Sequence, residues 1–122
     1  MLQLLALMIV SQQPLQHVAQ GKASYYTVTS SGAHTASGDR LNDAIYTCAM
    51  RKGEFGAYYL VVANNGNSVV CKLNDRGPFA KGRVVDLSQA AMRQLVDTDA
   101  GTLPVKIYKI DLGGVLDFLG LR

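Results

Sequence analysis

Between Ala57 and Ser88 the sequence alternates β-branched and aromatic runs with turn residues, a rhythm that limits the fold more than any other feature of the chain. Ala57-Tyr-Tyr-Leu-Val-Val-Ala63 is followed by Asn64-Asn-Gly-Asn67 and then by Ser68 to Leu73, which reads as a β-hairpin. Asn74-Asp-Arg-Gly-Pro-Phe79 breaks that second strand and Val84-Val85 begins another. Ser88-Gln-Ala-Ala-Met-Arg-Gln-Leu95 reads as the one good helix, capped by Ser88 with Leu87, Ala91 and Leu95 on a common face. Leu103 to Ile110 supplies a closing strand, with Pro104 near its start where a missing N–H is tolerated. Upstream, Ser11 to Gln20 reads as a polar linker, Ala23 to Val28 as the first strand and Thr29 to Gly32 as a loop. Residues 44 to 49 read as a short strand or turn, and Gly53 to Gly56 as a turn. Strands outnumber helices, so the pattern predicts a small β-barrel or sandwich.

A chain of 122 residues accommodates one domain with one core, and 48% hydrophobic with 17% charged residues excludes a disordered chain. The net charge of +3 favours anionic surroundings such as a bacterial wall or nucleic acid. The twelve Lys and Arg are scattered, however, and no basic run interleaves with aromatics, so no nucleic-acid partner is expected. None of the twelve glycines falls in a phosphate-binding or dinucleotide arrangement. Cys48 and Cys71 lack the short spacing of zinc or redox motifs, so no metal or cofactor is expected. The pair forms either a disulfide in an oxidising compartment or two buried thiols.

The termini are apolar. Met1 to Val10 is short for a spanning helix, which needs about 20 residues, and reads as a signal core or a partner-docking segment. No lipoprotein-type cysteine follows the run, so no lipid anchor is expected. Leu112 to Arg122 holds Val115, Leu116, Phe118, Leu119 and Leu121 after a Gly-Gly hinge. This tail is expected either to fold back as a short helix or to dock into other subunits of an assembly, and the same alternatives apply to residues 1–10.

The chemistry is concentrated in Asn74 to Ser88, where two carboxylates stand beside two arginines around a turn at Gly77-Pro78. Asp75 should emerge at a strand end facing a groove, and Asp86 should lie on a second strand just before the helix cap. This stretch resembles the rare lipoprotein A (RlpA-like) family of bacterial cell-wall proteins, related to expansins and barwin-like proteins. Gly21-Lys-Ala-Ser-Tyr-Tyr26, Thr35-Ala-Ser-Gly-Asp39, Phe55-Gly56, Gly82-Arg83 and Asp86-Leu-Ser-Gln-Ala-Ala91 resemble further motifs of that family, in order, over roughly residues 21–110.

The resemblance implies a six-stranded double-psi β-barrel with one short α-helix and apolar extensions, acting on peptidoglycan as a lytic transglycosylase. In such enzymes the sugar's own 6-hydroxyl closes an anhydro ring, so one carboxyl serves as acid and then base. Asp75 is expected in that role. A proton donor at neutral pH asks for burial or a neighbouring like charge, such as Asp86 or Asp39. Asp39 stands where the family has glutamate and is one methylene shorter. Asp86 is expected either to assist or to help hold Arg83 and the helix cap. Tyr26, Thr35, Ser37, Arg76 and Arg83 are expected to bind substrate, with Arg76 pointing aside from Asp75. The family carries a histidine where Met50 stands, and a thioether relays no proton. His34 could offer an imidazole from a neighbouring loop, whereas His17 carries no site signal. The alternative is a barrel that binds glycan or serves as a structural subunit without turnover, in a cell-envelope complex or a phage particle.

Overall fold

The computed structural model describes residues 15–27, 34–40 and 42–121. The apolar run at residues 1–10 and the expected loop at 29–32 lie outside the described residues. Six strands form a closed barrel: β1 (Leu15–Tyr26), β2 (Thr47–Ala49), β3 (Tyr58–Ala63), β4 (Ser68–Asp75), β5 (Arg83–Ser88) and β6 (Leu103–Ile110), in the order β1-β5-β2-β4-β3-β6. The pairs β1/β5 and β2/β4 are parallel and the other four are antiparallel. This is the six-stranded double-psi barrel that the resemblance implies, and it settles the choice between barrel and sandwich.

Period-two alternation builds the core. Val61, Cys71, Leu73, Val85, Leu87 and Ile107 point inward and are completely buried. Helix α1 (Gln89–Leu95) adds Ala91, Met92 and Leu95 to the same core. Burying each of the two larger side chains is worth about 2 kcal/mol. Ser88 caps this helix, its hydroxyl accepting from the Ala91 N–H at 3.3 Å. At the other end Asn65 and Asn67 each donate a side-chain N–H to the Leu95 carbonyl at 2.8 Å, tying the β3–β4 turn to the helix. Cys48 and Cys71 are joined in a disulfide between β2 and β4, with their Cα atoms 5.8 Å apart. Closing a loop of this length stabilises a fold by about 3 kcal/mol.

Two expectations need correction. Residues 15–20 are not linker but the first half of β1, paired antiparallel to β6 from Leu15↔Ile110 onward. Their side chains are mostly solvent-exposed, so the backbone pairs without leaving an apolar alternation in the sequence. The tail forms the short helix that is one of its two expected alternatives, α2 (Leu112–Leu119), so the chain has a second helix and not one alone; its N-terminus is capped by Asp111 accepting from the Gly114 N–H at 2.9 Å. Gly113 and Gly114 therefore lie within the helix rather than acting as a hinge. No residue of α2 is buried, so it does not fold back to bury its apolar side chains on the barrel.

Candidate active site

A slip in strand register assembles the site. Cys48 of β2 is opposite Leu73 of β4, yet the next residue, Ala49, is opposite Asp75. Asn74 is the additional residue, and the bulge brings Asp75 into line with Ala49. On its other side Ala49 is opposite Asp86 of β5, which is in turn opposite Ser24 of β1. Ser24, Asp86, Ala49 and Asp75 thus stand abreast on four adjacent strands. Neighbouring strands lie about 4.8 Å apart, so β2 holds the two aspartates roughly 10 Å apart at the backbone.

Each aspartate is anchored. Oδ1 of Asp75 accepts the backbone N–H groups of Ala36 and Arg76, both at 2.9 Å. Asp86 accepts a hydrogen bond from the Ser24 hydroxyl. Between them Tyr26 packs on Ala49, and its hydroxyl shares a 2.9 Å hydrogen bond with the Thr47 hydroxyl. Burial pushes the Tyr26 phenol above its ordinary value, against the opposing pull of the Thr47 hydrogen bond. The charges of Asp75, Asp86 and Asp43 push it in the same direction as burial. Asp43, which the sequence reading did not single out, therefore belongs to the electrostatic surroundings of the row. Its carbonyl accepts the Ala90 N–H at 3.1 Å, docking its loop on the start of α1.

The segment carrying Thr35, Ser37 and Asp39 lies against the end of β4. Ser37 N–H donates to the Asn74 carbonyl at 3.1 Å, and the Thr35 and Ser37 hydroxyls are 2.9 Å apart. The Asp39 carbonyl accepts from both the N–H and the hydroxyl of Thr35, while the residue itself is exposed. Asn74 is only 2% exposed, and its Oδ1 has no partner among the described residues.

The cations are placed differently from the acids. Arg76 lies 4.0 Å over the Phe55 ring and donates to the carbonyls of Gly53 at 2.8 Å and Met50 at 3.5 Å. Its guanidinium is thus taken up by the 50–55 loop. Arg83 is exposed at the start of β5, where its carbonyl accepts from Arg51 Nη2 at 3.1 Å. Met50 is 7% exposed and packs into the core, with its N–H donating to the Asp75 carbonyl at 3.2 Å. His34 is exposed and its backbone pairs antiparallel with that of Arg40, and His17 stacks edge-on against Tyr108. Among the described residues no cluster of three or more His, Cys, Asp or Glu side chains is arranged to hold a metal ion, and no helix is long and apolar enough to cross a membrane.

The family model described as lytic transglycolase matches residues 18–107. This chain belongs to the RlpA-like double-psi β-barrel family. It is 36% identical over 107 residues to the endolytic peptidoglycan transglycosylase RlpA of Pasteurella multocida, covering 85% of this chain and 36% of the relative. It is 45% identical over 91 residues to a probable endolytic peptidoglycan transglycosylase RlpA of a Nostoc species, covering 72% of this chain and 24% of the relative. The chain therefore spans about a third or less of the length of these RlpA relatives. Among solved structures, a Streptomyces papain inhibitor superposes with a TM-score of 0.61 at 23% identity, over 77% of this chain and 93% of the inhibitor. A mutant Clavibacter michiganensis expansin in complex with cellohexaose superposes with a TM-score of 0.60 at 19% identity, over 79% of this chain and 50% of the expansin. At such identities these two structures show the shared barrel alone, and one RlpA-like architecture evidently sits beside an inhibitor and an expansin.

Proposed function

We propose that this barrel cleaves peptidoglycan glycan strands as a lytic transglycosylase, with Asp75 as general acid and then general base. The supporting observation is the register slip that sets Asp75 at a strand end, abreast of Asp86, with one oxygen fixed by two backbone amides. Protonated Asp75 gives its proton to the bridging oxygen as the bond from that oxygen to the anomeric carbon breaks. Positive charge develops on the sugar, favoured by the negative charges of Asp86 and Asp43 nearby. The 6-hydroxyl of the same sugar then attacks the anomeric carbon, and its proton passes to the Asp75 carboxylate. The products are a shortened strand and a 1,6-anhydro end, with no water consumed and no cofactor required. Tyr26, Thr35, Ser37, Arg76 and Arg83 shape the surroundings of the sugar, and Asp39 assists from its loop. The names of the RlpA relatives, which specify peptidoglycan cleavage, support an action in the bacterial envelope, and a Cys48–Cys71 disulfide suits an oxidising compartment.

A second reading has one specific observation in its favour. Met50 occupies the family's histidine position and is buried, so no imidazole stands there to relay a proton. On this reading the barrel binds glycan, or serves as a structural subunit of an envelope complex or phage particle, without turnover. The exposed apolar side chains of α2 would supply the contacts to other subunits.

Incubating the protein and its Asp75→Asn variant with purified glycan strands, followed by mass spectrometry of released anhydro-sugars, separates the two. Release by the wild type that falls at least about 100-fold in the variant supports catalysis. Binding without anhydro products in the wild type establishes the second reading.

A further inference from the structure

Beside the acidic row lies a groove of opposite sign. Its rim carries Arg51, Lys52 and Lys109, its floor includes Met50, Tyr59 and Val84, and its lining contains no carboxylate. Two of these cations are held in place. Lys109 of β6 sits between Gln16 of β1 and Tyr59 of β3, and Arg51 is tied to the Arg83 carbonyl at the start of β5.

The groove is continuous with the proposed site at two points. Met50 lines it and donates its N–H to the Asp75 carbonyl at 3.2 Å. Val84 lines it and shares the outward face of β5 with Asp86, since Val85 and Leu87 between and beyond them point into the core. Two residues of strand place the groove roughly 7 Å from Asp86. A second cationic groove, lined by Lys22 and Lys106 on the outer face of β1, β3 and β6, lacks both links to the row.

This separation of charge carries a requirement for any anionic strand laid across the barrel. Carboxylates on the strand are repelled by Asp86 and Asp43, so they need a separate, positively charged place within a few ångströms of the uncharged linkage being cut. We infer that the Arg51–Lys52–Lys109 groove is a subsite for carboxylates borne by the wall strand. This rests on the reading of peptidoglycan as substrate. Such carboxylates come from two sources: the lactyl ether of a muramoyl sugar, or the peptide attached to it.

The test measures binding alone. Asp75→Asn protein, which keeps strands intact, is titrated by calorimetry at low and high salt with three probes: peptide-free glycan strands, peptide-bearing strands, and a neutral N-acetylglucosamine hexamer. At least one acidic strand should bind more tightly than the hexamer, with the excess falling as salt rises. Combining Lys52→Gln with Lys109→Gln should reduce affinity for that strand by roughly threefold to tenfold at low salt and leave the hexamer unchanged. Whichever acidic strand shows the excess identifies the source of the carboxylate. Equal affinity for strands and hexamer, or an excess that survives the charge removal in a variant of unchanged melting temperature, overturns the subsite. Because no cleavage is read, absence of anhydro products from the wild type would sink the catalytic proposal separately.

Discussion

The carboxylates of this barrel fall into two kinds. Asp75 and Asp86 sit on strands, in register with each other across Ala49, and each accepts hydrogen bonds that fix an oxygen. Asp39 sits on an exposed loop, where the hydrogen bonds it makes among the described residues come from its backbone. A group on a closed ladder cannot shift without disturbing several strands, whereas a loop residue can be moved by substrate at little cost. Reaction barriers respond to misplacement of about an ångström, so a group that must meet a particular oxygen belongs on the ladder. The arrangement supports a division in which the barrel wall holds the proton donor and the loop adapts to the sugar.

That division orders the expected effects. Asp75→Asn should remove anhydro-sugar release by at least about 100-fold while leaving the melting temperature nearly unchanged. Asp39→Asn should cost roughly tenfold or less, and Asp39→Glu, which restores the family's chain length, should equal or exceed the wild type. If Asp39→Asn reduced product release as far as Asp75→Asn, the distinction between wall and loop would be broken. A smaller effect tests whether anchoring itself matters. Ser24→Ala frees Asp86 without touching its charge, and should lower turnover about threefold to tenfold with roughly 1 kcal/mol lost from stability in denaturant. Unchanged turnover together with the stability loss would confine Ser24 to a structural role.

Much of this molecule could be read from its residues, and the parts that could not share a cause. The β3–β4 hairpin, β6 and α1 follow from local alternation, turn chemistry and a capping serine, all of which act within a few residues. The first half of β1 was missed because its partner, β6, is about ninety residues away and its side chains face solvent. The bulge at Asn74 is likewise a property of two strands together, so nothing local announces that Asp75, rather than Asn74, aligns with Ala49. Asp43 had no motif to mark it, and its influence on Tyr26 exists only once the loop docks on α1. Cys48 and Cys71 left two alternatives open until β2 and β4 became neighbours. Local signals supplied the elements, and closure of the barrel supplied the site.

The smallest effect offers the finest probe of the same division, because Tyr26 responds to the wall carboxylates and to Asp43 of the docked loop, and Asp39 is not among the charges acting on it. Its phenol is pushed above the ordinary value of 10.0 first by burial, with contributions from Asp75, Asp86 and Asp43. A folded value above the unfolded one means that the associated stability is fully present below about pH 10 and is lost as the pH rises through the folded value. Tyr26→Phe should therefore cost about 1 kcal/mol near neutral pH, through loss of the Thr47 hydrogen bond, and the gap to the wild type should narrow above pH 10. Some alkaline loss should remain in the variant, since burial also raises Tyr59 against the opposing charge of Arg76. In ultraviolet titration of the native protein, Asp75→Asn should bring the Tyr26 transition to lower pH by removing one of the charges acting on it. Asp39→Asn should leave that transition in place. A shift caused by Asp39→Asn as large as that caused by Asp75→Asn would mean that the Asp39 carboxylate reaches the row in solution, and the distinction between the wall and the Asp39 loop would be broken.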